Sequence, residues 1–437
     1  MNEGYTQQEL LLLSNFVYIP ACLSDRPIKD VIDSYRDASG NFTEESVASA
    51  AAGGGMSCAD VCTVFDEMDK VIKKDPGFGE ISASRRLEAE DVRAVCYTDK
   101  KDENPVVVFR GTGGTKEAWT DNFEGAYLED TRIQHIADEF VKNECAIYDE
   151  VVVTGHSKGG NLAQYVTVKE NAKVSGCLSF DGQGFGDDFI RSNSDDVAKA
   201  SPKICSVCAY NDFVGILLTS IAGRCIYVAN EASLSGAHSS VTLLTNNTFD
   251  EDGNFISIRP QSAICAQLDR ITDGITDALD PFPVTDKKAM STVAGLGISS
   301  ALTTPKENLA EQCLAPTLGA AAAELEKRFV AVKCLLKEAD TPVTGSVSID
   351  TALLEKAAKE ISSSVTGIKR VLSEVDMLRQ DLAVTISSKI CGERALQEAV
   401  EDLEAICERM DRYAQTLAGV CRCYTNSESR ALSLMGI

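Results

Sequence analysis

The chain reads as an α/β protein with a mainly parallel sheet, followed by an all-α C-terminal region, on three observations. Short β-branched runs alternate with helical patterns over about the first 260 residues, which places helices on both faces of a parallel sheet. Near residue 260 these runs give way to Ala, Leu, Glu and Lys at helical spacing. Between the valines Val151 to Val153 and a helix start at Asn161 to Val166 lies Gly155-His156-Ser157-Lys158-Gly159. That is the pattern of a nucleophile elbow, a turn so sharp that its neighbours must lack a Cβ.

Taken in order, Thr6-Gln7-Gln8-Glu9 before Leu10 to Leu13 is a capping box opening a helix. A second helix runs from Cys58 to about Lys73, ended by Asp75-Pro76-Gly77. Strands are expected at Val92 to Tyr97 and Val106 to Phe109, the latter running into Arg110-Gly111-Thr112-Gly113-Gly114. A helix from Thr131 to Asn143 leads to the elbow strand. Beyond the elbow helix come a strand Val174 to Phe180 ending in Asp181, a helix Phe189 to Ala200, a strand Ile204 to Tyr210 ending at Asn211-Asp212, and a strand Cys225 to Val228 followed by His238.

At 437 residues two or three domains are expected: an α/β domain over 1–260, a proline-containing connector over 261–348 and a helical hairpin over 349–437. The net charge of −24 argues against nucleic acid and anionic membrane surfaces as partners. The N-terminus lacks signal-peptide character, and no run of about 18 apolar residues suggests a membrane span. The sixteen cysteines lie mostly inside apolar runs and read as reduced buried thiols of a cytoplasmic protein; with three histidines, Cys205-x-x-Cys208 makes a poor zinc site.

A serine hydroxyl needs a base to take its proton and an acid to orient that base. If Ser157 ends strand five, the next three strands end at Asp181, Asp212 and His238, so acid and base fall after strands seven and eight. Asp212 is the preferred acid and Asp181 the alternative. His135 reads as a surface residue of a helix, and His156 as an elbow residue pointing away from the serine. Donors for the oxyanion are expected from the Lys158 backbone N–H and from Thr112. No metal or organic cofactor is needed.

Phe109-Arg110-Gly111-Thr112 with Trp119 and Asp121, the elbow through Asn161-Leu162-Ala163, and Asp212-Phe213-Val214-Gly215 resemble the class 3 lipases. They resemble more closely a bacterial branch of lipase-like α/β-hydrolases, in which Phe180-Asp181-Gly182-Gln183-Gly184-Phe185 also has a counterpart. The resemblance spans about residues 5 to 260 and implies the α/β-hydrolase fold, Ser157, Asp212 and His238 as a triad, and Thr112 with Lys158 as oxyanion donors. Lys158 stands where many lipases carry leucine. Between Asp212 and His238, Ile216-Leu217-Leu218 and Ile221 are either an acyl pocket or lid, or core.

In the C-terminal region, Leu353, Ala357, Ile361, Val365, Ile368, Val371, Val375 and Leu378 recur every three or four residues. Leu396, Val400, Leu403, Ile406, Met410, Tyr413 and Leu417 do the same, the two helices joined near Ile390-Cys391-Gly392. This hairpin resembles the WXG-type proteins of type VII secretion, with isoleucine where those carry tryptophan. Tyr424-Thr425-Asn426-Ser427-Glu428 fits their Tyr-x-x-x-Asp/Glu export signature, implying export without a signal peptide. Otherwise the hairpin is an arm for self-association or a helical partner. The expected function is hydrolysis of carboxylic esters, including lipids. The rivals are a thioesterase or peptidase on the same machinery, or a secreted interaction protein using the fold as a scaffold.

Overall fold

The computed structural model describes residues 4–274, 315–338, 351–385 and 393–434, less 53–54, 90–91, 100–104, 113–120, 122–123, 126–127, 213, 233, 248, 264, 267–268 and 272–273. Trp119, Phe213 and the turn Ile390-Cys391-Gly392 therefore lie outside the described residues. The chain divides into two units, Met1–Cys265 and Ala266–Ile437.

In the first unit, helix α1 (Gln7–Phe16) starts at the capping box, where Thr6 Oγ1 accepts from Glu9 N (3.1 Å) and Glu9 Oε2 from Thr6 N (2.8 Å). Helix α2 is Cys58–Lys74. Seven strands follow: β1 (Ser82–Ala89), β2 (Val92–Thr98), β3 (Val106–Phe109), β4 (Val151–His156), β5 (Val174–Phe180), β6 (Ile204–Ala209) and β7 (Arg224–Val228). They pair in chain order, β1/β2/β3 antiparallel and β3 through β7 parallel. Helices α3 (Arg132–Glu139) and α4 (Lys158–Lys169) lie between strands, and α5 (Ser240–Thr245) follows β7. The result is a mixed sheet with helices.

Side-chain alternation along the strands sorts two cores. Val106, Val108, Leu178 and Phe180 face the layer holding Leu11 and Phe65, whereas Val107, Phe109, Val153 and Cys177 face Leu162 and Val166 of α4. Burying each of these large side chains contributes roughly 1.5–3 kcal/mol.

Three expectations are corrected. Strand β1, hidden in the sequence by Arg85, Arg86 and Glu88, is a partly exposed edge strand, and with it the sheet has seven strands. Only three strands precede the elbow strand, so Ser157 follows the fourth strand rather than the fifth, and Asp181, Asp212 and His238 follow the fifth, sixth and seventh. The expected helix to Asn143 gives way at Phe140–Glu144 to a π-turn. The segment Phe189 to Ala200 breaks at Asn193, whose Nδ2 donates back to Phe189 O (2.8 Å), into helices Asp187–Ser192 and Ser194–Ala200.

The second unit contains α6 (Ala315–Glu338), α7 (Thr351–Thr385) and α8 (Glu393–Leu434). Ile361, Val365, Ile368, Val371 and Val375 of α7 are buried, as are Leu396, Val400, Leu403, Ile406, Met410 and Leu417 of α8. Leu353 is exposed, a departure from the expected seam. Helix α6 packs on α8, with Phe329 edge-on to Tyr413 (5.4 Å between centroids). Those buried residues of α7 and α8 line the expected seam. Tyr424 and Glu428 fall within α8, their side chains outside the description. No described helix is long and apolar enough to cross a membrane.

Cys205 and Cys208 both lie on β6, three residues apart, so they point to opposite faces and cannot share a metal. Burial pushes the thiols of Cys22 and Cys177 up to about 12.

Candidate active site

The parallel strands deliver their C-terminal ends to one edge of the sheet, and the sharpest turn there is at Ser157. Its backbone has φ 60° and ψ −126°, a region that costs a non-glycine residue about 1–3 kcal/mol and persists only where the surroundings impose it. Here they do. Ser157 N donates to Phe180 O (2.9 Å), and Ser157 O accepts from Asn161 N (3.1 Å) to begin α4. A Cβ at Gly159 would sit 2.1 Å from Phe109 O, and one at Gly155 2.6 Å from the same atom, so only glycines let β3 and the elbow meet. Ser157 caps α4 without a side-chain capping bond, leaving its hydroxyl for another partner.

That partner is His238. Its Nε2 lies 2.8 Å from Ser157 Oγ, and its Nδ1 lies 3.0 Å from Asp212 Oδ1. Asp212 is buried, and its other oxygen accepts from Gly215 N (2.6 Å). Three residues from the ends of β4, β6 and β7 thus form one hydrogen-bonded line, acid to imidazole to hydroxyl. With the Nδ1 proton donated to the carboxylate, Nε2 is left to accept from the hydroxyl, the arrangement of a general base.

Thr112 is half-buried beside Gly111, where a Cβ would lie 2.8 Å from His156 O, so the segment after β3 runs against the elbow. The Lys158 N–H belongs to the first turn of α4, whose amides have no acceptor within the helix. The Lys158 side chain is buried, its Nζ 2.8 Å from Asp121 Oδ2. Among the described residues Nζ has no aligned hydrogen bond, so the contact is an ion pair.

His156 does not turn away from the chemistry. It is buried beside His238, with ring centroids 4.9 Å apart. Its Nε2 donates to the His238 carbonyl (2.9 Å), and its Nδ1 accepts from the Tyr18 hydroxyl (3.1 Å). Burial, then the nearby His238, holds its pKa well below the usual imidazole range, so it stays neutral. Tyr18 was not foreseen: it lies just beyond α1, 138 residues from His156 in the chain, without a motif of its own. His135 is exposed.

Asp181, the alternative acid, is fully buried with φ 46°. Its Oδ1 accepts from Ala209 N (2.8 Å), while Oδ2 has no hydrogen bond among the described residues and lies 3.9 Å from His156 Nε2. Burial, reinforced by the charge of Asp212, raises its carboxyl well above the carboxylate range. Asp181, His156 and His238 bring ligand-type atoms within 4.8 Å of one another. All four ring nitrogens already serve Tyr18, the His238 carbonyl, Asp212 and Ser157, so no imidazole lone pair is left for a cation. Val214, Ile216 and Ile221 are buried in the segment before β7, and Thr219 pairs with Phe185 across from Asp181's turn.

A family model described as Mbeg1-like matches residues 83–261. The family is lipase-like, and the matched span includes Ser157, Asp212, His238, Thr112, Lys158 and Asp181. Over that span the chain is similar to a lipase-like hydrolase. No curated protein matches the chain.

Proposed function

We propose that this protein is a serine hydrolase of carboxylic esters on an α/β-hydrolase fold. The observation that carries the reading is the line Asp212–His238–Ser157, with hydrogen bonds of 3.0 and 2.8 Å converging on a serine at φ 60°. Ser157 Oγ attacks the acyl carbon while His238 Nε2 takes its proton. Asp212 stabilises the imidazolium. The Lys158 N–H and Thr112 hold the oxyanion, and the collapsing tetrahedral adduct expels the alcohol, protonated by His238. Water, activated by the same imidazole, then releases the acid and restores Ser157.

The ester is favoured over the amide because the leaving alcohol demands less of the acid. A thioester would use the same machinery. The alternative, an interaction protein on an inactive scaffold, would not need a connected relay. A fluorophosphonate probe should label the wild type and spare Ser157→Ala; folded wild-type protein that resists the probe would end the enzymatic reading. Nitrophenyl esters of short and long acyl chains then separate esterase from lipase. For the C-terminal region, α7 and α8 support a helical-hairpin domain over 349–437, with Tyr424 and Glu428 as an export signal. Deletion of residues 352–437 should abolish export and leave ester hydrolysis in place.

A further inference from the structure

Lys158 raises a question that the relay does not answer: why a lysine is buried immediately after the nucleophile. A buried ion pair is weak evidence for stability, since apolar residues of the same volume often serve as well or better. What such a pair can supply is geometry.

Asp121, its partner, lies nine residues beyond Thr112, on the same connection from β3 to α3. Its carboxylate is spoken for on both oxygens: Oδ2 accepts from Thr131 Oγ1 (2.8 Å) and Oδ1 from Ile133 N (3.0 Å). Thr131 caps α3 in a capping box with Gln134, and Gln134 Nε2 donates to Asn161 Oδ1 (3.0 Å). Asn161 stands one turn beyond Lys158 on α4, and its Nδ2 donates to Gly184 O (3.1 Å). Lys158, Asp121, Thr131, Gln134 and Asn161 are all buried. The network therefore leaves α4 at Lys158, crosses the start of α3, and returns to α4 three residues later. Glu124 faces the same lysine: burial and then Asp121 raise its carboxyl, while Lys158 lowers it.

We infer that the Lys158–Asp121 pair is a positioning device for the oxyanion pocket, tying the helix that carries the Lys158 N–H to the connection that carries Thr112. The inference rests on the esterase reading. One residue then contributes twice, its amide facing the developing oxyanion and its ammonium anchoring the opposite wall. Both donors sit on separate elements, and a loss of register between them weakens the pocket only where charge develops, so turnover suffers more than binding.

The test uses the full chain with 4-nitrophenyl butyrate. Wild type that neither turns over nor reacts with fluorophosphonate overturns the esterase reading itself. With active wild type, Lys158→Met and Asp121→Asn should each lower kcat about tenfold to a hundredfold with KM within about twofold. Affinity for a butylboronic acid, whose serine adduct places an oxygen in the pocket, should fall with kcat. The double variant should be no worse than the poorer single, because either change breaks the same tie. Full kcat in either single, losses that multiply in the double, or KM rising in step with the loss overturns the inference. A single variant that fails to fold, with one charge left buried, passes the decision to the double, which leaves none. There the same selective loss of kcat sustains the inference, and full kcat overturns it.

Discussion

The two units of this chain solve the packing problem differently. In Met1–Cys265 backbone strain and buried polar groups meet at one edge of a sheet, whereas in Ala266–Ile437 apolar residues recur along helices and the buried Arg328–Glu324 pair spans a single turn of α6. Among the described residues, the non-glycine positions with positive φ are Ser157, Asp181 and Leu218, all in the first unit and all in connections after β4, β5 and β6. Asp181 is polar and buried, as are His156, Lys158 and Asp212 near these turns. The helical unit buries Ile361, Ile368, Ile406 and Met410 at intervals that any amphipathic helix would show. Strain and buried charge persist only where tertiary contacts enforce them, so they mark a place where geometry outranks stability.

The largest expected break in this comparison is at the two carboxyls. Asp212→Asn should reduce kcat by about four orders of magnitude, because an amide cannot hold the His238 tautomer or balance its charge. Asp181→Asn should leave kcat within about tenfold, since it touches His156 rather than the base. The amide also keeps the acceptor for Ala209 N. Because the folded chain holds the Asp181 carboxyl well above its ordinary value of 3.8, wild type loses stability as pH climbs from there. The asparagine variant should therefore be the more stable of the two at neutral pH, with the gap closing near pH 3.8, as thermal unfolding at several pH values will read. A variant gap that does not depend on pH would contradict a neutral buried acid.

In the helical unit the expected effect is on stability alone. Ile361→Ala, at a fully buried position, should cost about 2–5 kcal/mol in denaturant unfolding of that unit. Ester hydrolysis by the first unit should be unchanged, and a matching loss of kcat would erase the contrast between the units.

The smallest effect concerns His156. Its folded pKa is depressed, so below the ordinary value of 6.5 the unfolded chain takes up a proton that the folded chain refuses. Stability should fall with decreasing pH from there, by up to ~1.4 kcal/mol per pH unit from this one group. His156→Asn should flatten the slope, measured as the difference between the two proteins' unfolding free energies from pH 7 to 5. Equal slopes would mean that His156 is not held neutral.

Local pattern was enough for much of this architecture. Thr6 with Glu9 announces α1, the valines from Val151 announce β4, and the spacing of Ile361, Val365 and Ile368 announces α7, because propensity and periodicity act over a few residues. The glycines flanking Ser157 made the elbow legible, since the turn's steric demand falls on its immediate neighbours. Strand order alone put Ser157, Asp212 and His238 in sequence at one sheet edge. Strand β1 escaped because an exposed edge carries charge where a buried strand carries valine.

What no local pattern could reach were contacts between distant segments. Asp181 and Asp212 both end strands, and only the fold decided that the Asp212 carboxylate meets His238 Nδ1 at 3.0 Å while Asp181 is left beside His156. Tyr18 on His156 and Lys158 on Asp121 join residues whose separation in the chain hides them from any window. Sequence by itself determined which turns could form, because each turn's sterics are local. The tertiary structure decided which polar groups share a dry interior, because desolvation makes every such group depend on whichever partner the packing delivers.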